Sequence, residues 1–125
     1  MMRVAALGAM ELLAAFNPRL VGPVLVGTAD ENSAVNLHVF ADSAEVVAME
    51  LSNMGINYRS YERRVKSRRG QTETYAGFEF HHSHSAIQAT VFPIDGIRQA
   101  PISPVDGKPM KRVDASAVQR LVEHV

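Results

Sequence analysis

Apolar and polar residues alternate most clearly in the middle of the chain. Val35, Leu37 and Val39 fall at every second position, and Asn36 and His38 fall between them. Successive side chains of a strand point to opposite faces, so this pattern predicts a strand with one apolar and one polar face. We expect the apolar face to pack against helices and the polar face to line a cleft.

Helical patterns flank this strand. Apolar residues recur at helical spacing over residues 3–16, and Asn17-Pro18 ends that helix. The capping-box pattern Asp42-Ser43-Ala44-Glu45 opens a second helix, which Gly55 closes. Asp114 caps a final helix. Its apolar side consists of Val118, Leu121, Val122 and Val125.

The remaining segments predict a short strand, a hairpin and one further strand. The predicted strands cover residues 19–22, 56–65, 74–80 and 86–92. Residues 66–73 form the hairpin loop. In the last strand Gln88 and Thr90 point away from the apolar face. Residues 93–112 contain prolines and Asp-Gly turns, so we expect them to wrap the surface without a helix.

Composition limits the classes of function. A chain of 125 residues fits a single domain over residues 1–125, and the 13 basic and 13 acidic residues give no overall attraction to nucleic acid or acidic membranes. The chain has no cysteine, which excludes disulfides, thiolate catalysis and sulfur-based zinc sites. Glu11 interrupts the apolar N-terminal run, which is too short to cross a bilayer. We therefore expect a cytoplasmic protein that does not bind membranes.

The beginning of the sequence leaves two alternatives open. The chain starts with two methionines, inside a predicted helix. It is either the C-terminal part of a longer protein or an unusually short member of its family.

The pattern across residues 21–40 carries a family resemblance. Gly22-Pro23 ends the first strand, ten residues follow, and Ala34-Val35-Asn36 opens the next strand. This spacing resembles the signature of the polymerase-β-like nucleotidyltransferases, in which Gly-Ser, ten residues and Asp-x-Asp occupy these places. Gly27 and Ser33 also fall where such sequences often have a second glycine and a serine. The resemblance identifies the chain as a degenerate member of that superfamily.

The residues needed for catalysis are replaced. In the family the paired aspartates hold divalent cations, and magnesium prefers anionic oxygen ligands. Ala34 offers no ligand, and Asn36 offers one neutral oxygen. A third carboxylate comes from a later strand in the family, and Gln88 is our candidate for that place. We therefore assign no catalytic residue and treat Ala34, Asn36 and Gln88 as degenerate positions. We expect magnesium only if the domain is an enzyme.

The resemblance also implies a nucleotide site and a fold. The implied fold is α/β in the α+β sense, a nucleotidyltransferase-like mixed sheet with helices mainly on one face. It includes a short helix over residues 23–28, whereas residue propensity alone predicts a strand over residues 20–26. The implied nucleotide-binding residues are Gly22, Pro23, Gly27, Thr28, Ser33, Asn36 and His38.

Three functions follow from this pattern. The one we favour is a catalytically inactive domain that binds a nucleotide or a protein partner. The second is a metal-dependent nucleotidyltransferase that uses Asn36 with Asp30, Glu31 or His38. The third is a structural or oligomerising domain, such as a homodimer formed through an edge strand or the last helix.

Two further clusters have competing interpretations. His82 and His84, next to His81, would share a transition metal if both lay on one strand face, but a polar hairpin end is the interpretation we favour. Five cationic residues lie within seven positions, and they either bind phosphate or form a solvated hairpin tip that protects a strand edge. The five are Arg63, Arg64, Lys66, Arg68 and Arg69.

Overall fold

A computed structural model describes residues 2–67 and 69–123. The helices are α1 (Met2–Leu12), α2 (Gly22–Val26), α3 (Ala44–Asn53) and α4 (Ala115–Glu123). The strands are β1 (Arg19–Val21), β2 (Val35–Phe40), β3 (Arg59–Lys66), β4 (Thr72–His82) and β5 (Ser85–Phe92). Two 3₁₀ helices cover Ala14–Phe16 and Ile94–Arg98.

The strands form one mixed sheet in the order β1-β2-β5-β4-β3. Strands β2 and β5 are parallel, and the other neighbouring strands are antiparallel. A parallel pair needs a long crossover, which α3 and the β3–β4 hairpin provide. The predicted α/β fold, a mixed sheet with helices, is confirmed.

The core lies between the apolar face of the sheet and the helices. Leu37 and Val39 of β2 belong to the same buried cluster as Met10 of α1, Leu51 of α3 and Val118 of α4. This confirms that the apolar face of β2 packs against helices. The opposite face of the sheet, which carries Asn36 and Gln88, is not part of this buried cluster.

Within residues 20–26, helix α2 begins at Gly22, directly after β1. The single strand that residue propensity predicts over the whole segment is therefore wrong. Pro23 lies in the first turn of α2, where its missing N–H costs no hydrogen bond. Gly27, with φ 85°, ends the helix in a left-handed conformation. Val24 and Leu25 are both buried, as a helix allows for consecutive residues.

Several predicted strand boundaries are wrong. The observed boundaries are set by hydrogen bonds at the ends of the helices and strands. The N–H of Ile56 bonds to the carbonyl of Leu51, so Ile56 completes the end of α3 and β3 begins at Arg59. Lys66 pairs with Thr72, which shortens the predicted hairpin loop.

The segment after β5 contains a helix that was not predicted. The 3₁₀ helix Ile94–Arg98 follows Pro93 directly. The rest of the chain between β5 and α4 is irregular, and two β-bridges attach it to the two edge strands of the sheet. Ile102 bridges to Lys66 of β3, and Val113 bridges to Leu20 of β1.

No helix in the described ranges combines the length and the apolar character needed to cross a bilayer. Val125, predicted on the apolar side of the last helix, lies outside the described residues.

Candidate functional site

The polar face of the sheet brings together side chains that are far apart in sequence. In the parallel pairing of β2 and β5, Asn36 lies beside Gln88, and His38 lies beside Thr90. The expectation that Asn36 and His38 share the face opposite the helices therefore holds. Gln88, the candidate for the third carboxylate position, is the neighbour of Asn36.

A cavity of about 660 Å³ opens on this face, and we call it the sheet-face cavity. One side consists of the sheet, and the other consists of the irregular segment around residues 102–110. Its described lining residues are Val21, Gly22, Asn36, His38, Arg63, Arg64, Val65, Lys66, Thr72, Ile102, Ser103, Pro104, Gly107 and Met110.

Gly22 allows the turn after β1 to approach Asn36 closely. Its φ is 76°, and a Cβ atom added there would lie 3.2 Å from Nδ2 of Asn36. Glycine is the residue that adopts this backbone conformation without strain. Gly22 therefore forms one edge of the cavity next to Asn36.

Arg63 reaches from β3 to the two amides. Its Nη1 donates to Oδ1 of Asn36 at 3.3 Å, and its Nη2 donates to Oε1 of Gln88 at 2.6 Å. Nε2 of Gln88 donates to Oε1 of Glu79 at 2.8 Å, and Glu79 forms an ion pair with Arg59 at 2.7 Å. This chain of contacts fixes the orientation of the Gln88 amide, so that its oxygen faces Arg63.

The sheet-face cavity is positively charged. Arg63, Arg64 and Lys66 line it, and none of its described lining residues is acidic. Three members of the basic run therefore line this cavity, whereas Arg69 lies beside a different one, near Ser67 and Gln71. Arg63 points onto the polar face, where it bonds to Asn36 and Gln88. Arg64 and Lys66 occupy the alternate positions of the edge strand β3, whose side chains start on its other face. Arg68 lies outside the described residues. The phosphate-binding interpretation of the run stays a prediction, as does the solvated hairpin tip.

His38 is held neutral at the back of the cavity. It is only 2% exposed, and its Nδ1 accepts a hydrogen bond of 3.0 Å from Nε of Arg112. Burial, with smaller contributions from the charges of Arg112 and Arg63, lowers the pKa of His38 to about 3. His38 therefore acts as a hydrogen-bond acceptor for Arg112 and carries no charge at neutral pH.

Arg112 is a residue that the sequence analysis did not select. Its guanidinium carbon lies 5.0 Å from the ring centre of Phe40 and 5.2 Å from that of Phe92. Its Nη1 donates to the carbonyl of Gly96 at 2.8 Å. Arg112 lies 74 positions from His38, so no local sequence signal could have shown this contact.

The other residues of the implied nucleotide site lie apart from the sheet-face cavity. Pro23 and Thr28 are exposed at the two ends of α2. Gly27 lines a separate, mainly apolar cavity of about 440 Å³ between α1, α2 and α4. Ser33 bonds within its own turn, where its hydroxyl donates to Asp30 at 3.3 Å. Ala34 immediately precedes β2.

The two acidic residues of the enzymatic alternative lie apart from Asn36 and His38. Asp30 and Glu31 line the cavity that Gly27 lines, whereas Asn36 and His38 line the sheet-face cavity. Among residues 2–67 and 69–123, no three His, Cys, Asp or Glu side chains are placed to hold one metal ion.

The magnesium that the resemblance implies does not fit the donor set at positions 34, 36 and 88. The Asn36 and Gln88 oxygens already accept hydrogen bonds from a cationic guanidinium, which would repel a divalent cation. Ala34 offers no ligand atom.

The two candidate metal histidines do not lie on one strand face. His82 ends β4, and its ring packs against Gly8 of α1. His84 lies with Ser83 in the two-residue turn to β5, and their φ values of 67° and 50° are those of a type I′ turn. The geometry assumed for a shared metal is therefore absent.

Comparison of this chain with known protein families, with curated proteins and with solved structures found no match.

Proposed function

We propose that this chain is a non-catalytic nucleotide-binding domain of the nucleotidyltransferase type, and that the nucleotide binds in the sheet-face cavity. The observation that carries the proposal is the convergence of Gly22, Asn36 and the Arg63 guanidinium on one cavity. Arg64 and Lys66 of the edge strand also line this cavity, and its described lining contains no acid. Phosphate groups favour such sites because charged hydrogen bonds to guanidinium and ammonium groups are strong.

The order of elements supports the nucleotidyltransferase assignment. β1 is followed directly by the short helix α2, and Asn36 lies at the second position of the next strand, β2. Gln88 of β5 is the direct neighbour of Asn36. Gly22, Asn36 and Gln88 are thus neighbours, and their proximity supports the proposal.

The shape of the cavity suits a ligand with an apolar and an anionic end. Ile102, Pro104 and Met110 form an apolar side, and the cations of β3 form a charged one. A nucleobase can pack against the first while phosphates bind the second. A ligand cavity of this volume lies within the usual range of about 300–1,000 Å³.

Calorimetric titration and thermal unfolding with ATP, GTP, CTP and UTP test the proposal, each with and without magnesium. A bound nucleotide at about one hundred times its Kd stabilises the fold by about 2.7 kcal/mol. The double variant Arg64→Gln/Lys66→Gln should weaken binding about tenfold or more, because it removes two cavity charges.

Arg120→Gln is the matched control, since Arg120 is an exposed arginine of α4 and does not line the sheet-face cavity. The proposal is wrong if no nucleotide produces heat or stabilisation in the wild-type protein. A nucleotide affinity that Arg64→Gln/Lys66→Gln leaves unchanged would also place the ligand elsewhere. Labelled-nucleotide transfer to a second molecule would contradict the non-catalytic part.

A further inference from the structure

Arg63 is placed as a fixed cation in the floor of the sheet-face cavity. Its guanidinium crosses β4 from the edge strand β3 and contacts side chains on β2 and β5. Its Cζ also lies 5.1 Å from the ring centre of Tyr61, which limits its movement. The charge is therefore held in one position by three separate strands of the sheet.

The charge of Arg63 is not neutralised by the groups that hold it. Both hydrogen-bond acceptors, Asn36 and Gln88, are neutral amides. In the part of the chain that the structure describes, the one ion pair joins Glu79 to Arg59. Arg63 thus combines a fixed position with a charge that an incoming anion can meet.

A guanidinium in this position can do what a bound cation would do for a phosphate. It has five N–H donors, and its two hydrogen bonds to Asn36 and Gln88 use only part of that capacity. Arg64 and Lys66 add two further charges along the same cavity. Phosphate oxygens prefer such charge-assisted, often bidentate hydrogen bonds to arginine.

We propose that Arg63 replaces a divalent metal in this site and binds a phosphate or pyrophosphate group directly, so that the ligand binds without magnesium. This inference rests on the proposed function only in one respect, the identity of the ligand beyond its phosphate groups. The anion site itself depends on Arg63, Arg64 and Lys66 alone. Magnesium bound to a triphosphate lowers its negative charge, so magnesium leaves the affinity unchanged or weakens it.

Calorimetric titration of the purified chain with inorganic pyrophosphate tests this inference, with the metal removed by EDTA. Binding should occur in EDTA and should weaken as salt increases, because the interaction is ionic. Arg63→Gln should lower the pyrophosphate affinity about tenfold or more. Arg63→Lys should retain part of it, since lysine keeps the charge but loses the bidentate geometry.

Arg120→Gln is again the control, because Arg120 is an exposed arginine of α4 that does not line the sheet-face cavity. Thermal unfolding without ligand shows that each variant is folded, and Arg63→Lys serves if Arg63→Gln does not fold. Pyrophosphate binding by the wild type only when magnesium is present would overturn the inference. Equal affinities of Arg63→Gln, Arg120→Gln and the wild type in EDTA would overturn it as well.

The two proposals fail in different ways. Pyrophosphate binding in EDTA that depends on Arg63, without binding of any nucleotide, supports the inference and contradicts the nucleotide function. Nucleotide binding that requires magnesium and is insensitive to Arg63→Gln supports the nucleotide function and contradicts the inference. Absence of binding for both ligands contradicts both.

Discussion

The hydroxyl groups of Tyr61 and Thr90 are 2.7 Å apart and share a hydrogen bond, although strand β4 lies between their strands. The β4 residue between them is Gly77, which pairs with Tyr61 on one side and with Thr90 on the other. The Tyr61 ring occupies the space where a side chain of residue 77 would lie. The absence of a side chain at Gly77 therefore lets Tyr61 cross the sheet and support Arg63.

We predict that Gly77→Ala lowers the free energy of unfolding by about 1–3 kcal/mol, since the new methyl group overlaps the Tyr61 ring. Urea denaturation measures the loss. The same substitution in a Tyr61→Ala background should cost much less, because the ring is gone. An equal loss in both backgrounds would show that the two residues do not compete for this space.

Substitution of Gly22 should affect both stability and binding. Gly22→Ala forces alanine into a left-handed conformation, which costs about 1–2 kcal/mol, and places a methyl group 3.2 Å from Nδ2 of Asn36. Gly55→Ala is the control, because Gly55 has φ 72° and no atom within 4 Å of the added Cβ. Both variants should lose similar stability, but only Gly22→Ala should weaken nucleotide binding in calorimetry. Equal affinities of the two variants would contradict a role for the Gly22 turn.

The buried His38 should make stability depend on pH. Its pKa of about 3 in the folded protein lies below the value of 6.5 for an exposed histidine, so the folded state binds fewer protons than the unfolded state between these values. The stability contributed by neutral His38 is therefore complete above about pH 6.5 and is lost as the pH falls towards about 3. At about pH 5 the loss amounts to about 2 kcal/mol.

Urea denaturation at about pH 7 and about pH 5 measures this effect. In His38→Asn an amide oxygen can accept the hydrogen bond from Arg112, but the residue does not titrate. The decrease in unfolding free energy from pH 7 to pH 5 should be smaller in this variant by about 2 kcal/mol. An identical decrease in both proteins would mean that His38 does not cause the pH dependence.

The N-caps of α4 and α3 should differ in their contribution to stability. Oδ1 of Asp114 accepts a hydrogen bond of 2.9 Å from the N–H of Ala117 at the start of α4. The capping box predicted over residues 42–45 is wrong, because Ser43 occupies the N-cap of α3 and makes no side-chain bond to the helix. Asp114→Ala should therefore cost about 0.5–2 kcal/mol, and Ser43→Ala should have little effect. Thermal unfolding of the two variants compares them, and equal losses would contradict the assigned caps.

Local sequence patterns were sufficient where one segment decides its own structure. The alternation around Asn36 predicted β2 and both of its faces, because strand periodicity is a property of neighbouring residues. The cap at Asp114 was predicted for the same reason. At α2, proline and glycine geometry overcame the strand propensity of Val24, Leu25 and Val26.

The composition of the candidate site depended on tertiary structure. The resemblance already grouped Gly22, Asn36 and Gln88, but nothing in the sequence connected the basic run to them. Sheet order and register placed Arg63 against Asn36 and Gln88, and the same packing placed Arg112 against His38. Hydrogen bonds between distant strands form only when the whole chain is folded, so the fixed charge in the cavity is a property of the fold, whereas the residues that make it are already present in the sequence.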